Sequence, residues 1–182
     1  MSWLLGTATD VEWITSATTI DTTISSAIPP VFDAYATIVL AEDRRDMQRQ
    51  GDALLSVLRE QSSSVVWWLG YLDTGADDVV FPDAPRTHLY GHWPYVMVQA
   101  GAAQAATWRS DSPGHFWLGR LPNLIFPTDR SWLVSTLWDD DWTCIGGPAA
   151  LIEALTNHLE LRRYARRVER GQDATPPGHR AI

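Results

Sequence analysis

Within residues 131–147 three tryptophans and three consecutive aspartates fall together, and no other stretch restricts the chain so strongly. Indole rings seek burial, whereas adjacent carboxylates cannot be buried unpaired. A β-hairpin reconciles the two demands. Trp132 to Leu137 is expected as one strand and Thr143 to Ile145 as the start of the next. Asp139, Asp140 and Asp141 then occupy the turn, where short carboxylates can accept from their own backbone. The same turn, flanked by Trp138 and Trp142, is a candidate binding surface.

The other elements follow from period and punctuation. Asp10 is expected to cap a short helix at Val11, and Ile28-Pro29-Pro30 forbids regular helix before a strand over 31–40. Leu54, Leu55 and Leu58 share one face of a helix expected from Met47 to Gln61. Val65 to Leu72 is apolar throughout and suits a strand buried on both faces near the centre of a sheet. Asp73, Asp77 and Asp78 mark a turn that is a second part of the candidate acidic binding surface, and Val79 to Phe81 is expected to return as the partner strand of a second hairpin. His88 to Gln99 is expected as one extended segment and Ala102 to Arg109 as an alanine-rich helix. Leu121 to Pro127, bracketed by prolines, is expected at a sheet edge. Gly147-Pro148 opens a helix with Leu151, Ile152 and Leu155 inward, and Leu159 to Tyr164 is expected as a last edge strand.

Strands joined mainly by hairpins, with about three helices interspersed, predict an α+β domain. Its twisted, mainly antiparallel sheet should carry the helices mostly on one face. At 182 residues one domain is expected, spanning 1–168, with 169–182 a disordered basic tail. Residues 1–161 hold eight arginines against 20 acids, a balance of −12, and residues 162–182 hold six arginines against two acids, a balance of +4. An acidic body disfavours nucleic acid, whose binding relies on many phosphate-neutralising contacts, and favours a basic protein partner. The single cysteine excludes an intrachain disulfide and a multi-cysteine zinc site. With no signal-peptide pattern and no apolar run of about 20 residues, a soluble, cytoplasmic protein without a membrane segment is expected.

Chemical motifs are sparse. No Gly-x-Gly-x-x-Gly, P-loop or Gly-x-Ser-x-Gly pattern occurs. Neither aspartate cluster has the alternating ligands and closing glutamate of an EF-hand, so no metal and no cofactor is expected. His88 and His92 would share one face of an extended strand, with His115 as a distant third ligand. Together with Arg109 and Arg130 they make an alternative pocket, and Arg120 is a further basic candidate. Cys144, in an apolar strand beside an acidic turn, fits a structural thiol better than a nucleophile.

The segments Ile28 to Tyr35, Trp67 to Gly75 and Asp129 to Gly147 resemble those of uncharacterised single-domain proteins of high-GC Gram-positive bacteria, over most of residues 28–165. That resemblance implies a single domain and a bacterial source, and it transfers no site. The residues themselves point to a non-enzymatic protein-interaction module using an acidic, tryptophan-rich surface. By class-level analogy this could be an immunity- or antitoxin-like inhibitor. The alternative is a small-molecule or glycan-binding enzyme using Asp and His residues in a cleft.

Overall fold

The computed structural model describes residues 2–75, 79–109, 121–138 and 140–179. Within them lies an open, twisted sheet of eight strands with four helices, the α+β architecture expected. In chain order the elements are α1 (Ala8–Thr15), β1 (Ala34–Val39), α2 (Arg44–Gln61), β2 (Trp67–Leu72), β3 (Thr87–Leu89), β4 (Trp93–Ala100), α3 (Ala102–Thr107), β5 (Leu124–Pro127), β6 (Leu133–Ser135), β7 (Trp142–Gly147), α4 (Ala149–Asn157) and β8 (Ala165–Val168). A 3-10 turn covers Ile24–Ser26. The strand order is β3-β4-β2-β5-β6-β7-β1-β8, and every paired strand runs antiparallel.

Each face of the sheet carries its own core. Alternation along the strands sends Ala34, Ala36 and Ile38 of β1 to one face with Leu54 and Leu58 of α2 and Leu151 and Leu155 of α4. Tyr35 goes to the other face, where Val11 and Ile14 of α1, Ile24 and Ile28 cover it. Thus α2, α3 and α4 share a face, and α1 with the segment from Ile24 to Phe32 closes the opposite one. β2 is buried at every position and lies third from the β3 edge, as its unbroken apolar run implies. The hairpin of β6 and β7 forms with Val134 opposite Ile145.

Several boundaries depart from the sequence expectation. Helix α1 starts one turn early because Thr7 caps it, and the Asp10 carboxylate reaches back to accept from the Thr7 amide at 2.7 Å. Helix α2 likewise starts before Met47, since Asp43 accepts from the amides of Arg45 and Asp46. Val79 to Phe81 forms no strand, and β2 pairs with β4 and β5 instead. The extended segment expected over His88 to Gln99 is folded into the β3–β4 hairpin. Its connection, Tyr90-Gly91-His92, holds φ values of 48°, 77° and 86°. Tertiary contacts hold that reversal: the Tyr90 hydroxyl donates to the Ala27 carbonyl at 2.8 Å and accepts from Ser135 at 2.9 Å.

β5 is interior, between β2 and β6, rather than an edge. Its proline stands at the last position, so the missing amide interrupts no ladder within the strand. The edge strand after α4 is Ala165–Val168, because Leu159 to Tyr164 coils into successive turns that bury Leu161. Residues 169–179, expected as a tail, run against the body. Asp173 bridges Thr23, the Ala174 amide donates to the Thr22 carbonyl at 2.9 Å, and Arg166 reaches the Thr175 carbonyl at 2.8 Å. Among the described residues no helix is long and apolar enough to cross a membrane.

Candidate functional site

Antiparallel pairing assigns every turn to one end of the sheet or the other. The β3–β4 turn, the end of β2, the β6–β7 turn and the entry to α2 meet at one end, and they bring Asp73, Asp140, Asp141, Asp43 and Asp46 with them. Acidic turns far apart in sequence therefore share one end of the molecule. Arg130 follows β5 at the opposite end, where Val31, Val65 and Val66 also stand exposed.

At the acidic end lies a groove of about 690 Å³. The loop from Thr18 to Thr22 forms one wall. His88 to Trp93 form a second, Leu137, Trp138 and Asp140 a third, and Trp142, Cys144 and Leu89 pave the floor. Trp93 of one hairpin and Trp138 of the other pack together, with ring centroids 4.6 Å apart and planes tilted by 37°. They remain 38% and 41% exposed, which is unusual for side chains whose burial would be worth about 2–3 kcal/mol each. Ile20, 95% exposed, rises from the first wall with its tip toward Gly91.

Charge in the groove is negative. Slight burial opposes ionisation of Asp21. The Thr23 and Thr19 hydroxyls and the Thr23 amide outweigh that cost and hold its carboxyl below the usual aspartate range. Cys144 lies beneath, and burial, aided by the charge of Asp140, pushes its thiol up to about 12 despite a bond from Trp142. A thiol so raised stays protonated at neutral pH, which disfavours its use as a nucleophile. Burial also raises the Tyr90 hydroxyl well above the ordinary tyrosine range, with Tyr95 adding to the effect and the Ser135 bond opposing it.

Beside the groove a second cleft of about 970 Å³ has Glu42, Asp43, Asp46, Asp141, Arg163 and His179 among its lining residues. Asp141 stands at its border, 2.7 Å from Nδ1 of His179, and the His179 ring meets Trp142 edge-on at 6.2 Å. Arg163 binds Asp46 at 2.8 Å, so the arginine-rich C-terminal stretch partly neutralises the acidic end within the same chain.

The structure thus unites Trp138, Asp140 and Trp142 with His88 and His92, which the sequence had placed in two separate candidate sets. His88 sits opposite Pro94 in β3 and His92 in the left-handed turn, so the two do not share the face of one strand. Asp73 lies at the same end but is engaged by the Gly75 amide at 3.0 Å and by Arg86 at 2.7 Å. These contacts hold its carboxyl low against modest burial. Asp77, Asp78, Asp139, His115 and Arg120 lie outside the described residues.

Arg109 does not enter the groove. It is 4% exposed under the helix-covered face, over the Tyr71 ring, and donates to the Leu121 carbonyl and to Asn123. Arg130 lies over Trp13 at the far end, so the alternative pocket of His88, His92, Arg109 and Arg130 is not assembled. Among the described residues no group of three His, Cys, Asp or Glu side chains is placed to hold a metal.

Sequence reasoning missed Trp93, Tyr90 and the Thr18–Thr22 wall. Gly91 inside an apparent strand was the available signal for a reversal at Tyr90. The fold and groove define an open-sheet α+β protein with an aromatic, acidic recess at one sheet end. Comparison finds no family model, no curated protein and no solved structure that matches the chain.

Proposed function

We propose that this protein acts by binding rather than by catalysis, taking a basic protein partner on the acidic end of its sheet, in the manner of an immunity- or antitoxin-like inhibitor. The observation that carries the reading is the Trp93–Trp138 pair. Two hairpins each leave a large ring half exposed, against each other, at the mouth of a groove with acidic walls. Exposed, rigidly packed tryptophans are the usual energetic anchors of protein interfaces, and a surrounding field of one sign steers a partner of the other. The net charge of −8 and the collection of acidic turns at that end supply the field.

The test compares capture of a partner from native lysate by the unaltered chain, by Trp138→Ala and by Val65→Ser at the opposite end. A stoichiometric partner should survive Val65→Ser, weaken at least tenfold with Trp138→Ala, and fall away as salt rises. A partner indifferent to Trp138 and to salt would sink the proposal.

A further inference from the structure

We propose that the groove beneath Trp93 and Trp138 is a guanidinium subsite that takes an arginine side chain of the partner. This rests on the interface reading above and specifies its chemistry. Two carboxylates, Asp21 and Asp140, lie in its walls, and no arginine lines it among the described residues. An anionic ligand would therefore be repelled, and a neutral one would gain nothing from the field.

The shape points the same way. The floor at Leu89, Trp142 and Cys144 is apolar and closed, suited to the three-carbon stem of arginine. The exposed faces of Trp93 and Trp138 stand above it, where a planar cation can lie against an indole. A guanidinium is flat and weakly hydrated, so it stacks and forks onto a carboxylate at lower desolvation cost than an ammonium. The chain itself gives the same contact elsewhere: Arg130 lies 5.5 Å over the ring of Trp13. At about 690 Å³ the groove exceeds one side chain and leaves room for the flanking backbone of an extended segment.

The probes are two end-blocked tripeptides, Gly-Arg-Gly and its citrulline counterpart, which differ by one charge at almost constant shape. They are titrated into the full-length protein while the indole N–H resonances are followed. The arginine peptide should shift the Trp93 and Trp138 signals saturably in about the millimolar range, with the citrulline peptide at least about tenfold weaker. Asp21→Asn retains the acceptor for Thr23 but removes the charge, and it should weaken the arginine peptide about two- to fivefold. Trp138→Ala should weaken it about three- to tenfold. The indoles of buried Trp67 and Trp132 report that each variant is folded.

Equal binding of the two peptides, or shifts that bypass Trp93 and Trp138, would overturn the assignment. Partner capture that depends on Trp138 while neither peptide binds would overturn it too, and would leave the interface reading standing. Arginine binding in the groove with no protein partner would uphold the subsite and remove the interface reading, pointing instead to a small guanidinium ligand.

Discussion

Gly146 is where the chain can least accept a side chain. It lies inside β7, opposite Tyr35 of β1 and Leu133 of β6, and the Ile28–Phe32 segment crosses directly over it. A Cβ built there would stand 2.5 Å from Cγ2 of Ile28, 2.5 Å from Cδ2 of Phe32 and 3.1 Å from Cε2 of the same ring. The first two contacts are about 1 Å inside ordinary van der Waals distance. Ile28 is fully buried and the two following prolines stiffen its backbone, so the segment cannot simply lift away. Overpacking of this kind costs about 1–3 kcal/mol, offset by about 0.5 kcal/mol because alanine restricts the unfolded chain. Gly146→Ala should therefore lose about 1.5 kcal/mol, which for a chain of this size lowers Tm by about 3–6 °C. Urea and thermal unfolding measure it. Gly171→Ala, which meets no atom within 4 Å, serves as the neutral control. Adding Phe32→Ala to Gly146→Ala should recover part of the clash and give a non-additive cycle. A loss below about 0.5 kcal/mol for Gly146→Ala would refute the close crossing of this segment over β7.

Two further outcomes test other parts of the structure. Gln50, 5% exposed, donates to the Val39 carbonyl at 2.7 Å and accepts from the Ala41 amide at 3.2 Å, tying α2 to the end of β1. Gln50→Leu should destabilise by about 2 kcal/mol and speed amide exchange at Ala41, and unchanged exchange there would show that the amide never depended on Gln50. Burial raises the Cys144 thiol from 9.0 to about 12, so the unfolded chain loses this proton first as pH climbs. The cysteine's contribution is complete below pH 9 and is lost through the interval up to about 12. Relative to Cys144→Ala, the unaltered chain should lose on the order of 1 kcal/mol between pH 8 and pH 10. Iodoacetamide at pH 8 should modify it only as fast as the chain unfolds, and rapid alkylation of folded protein would contradict the burial.

Legibility followed the range of the interactions involved. The β6–β7 hairpin, the buried run of β2 and the inward leucines of α2 and α4 were readable because each rests on contacts within one stretch of chain. Helix starts slipped by a turn where two capping residues competed, as with Thr7 and Asp10. The hairpin at Tyr90-Gly91-His92 was not readable. Its strained dihedrals are held by Ala27 and Ser135, 63 and 45 residues away.

The candidate site divides in the same way. Trp138, Asp140 and Trp142 were visible as a local excess of rings and charge, and the histidines were visible as residue types. Their convergence was not, because it depends on strand order. Only the order β3-β4-β2-β5-β6-β7-β1-β8, with every pair antiparallel, carries Trp93 to Trp138 and strands Arg130 at the far end. The amino-acid sequence by itself determined the α+β class, the acidic body and the apolar strands, since period, charge and turn chemistry are properties of neighbours. Which turns share an end, and which rings meet across a groove, was decided only by the tertiary structure, since pairing selects among distant segments by burial that no local stretch contains.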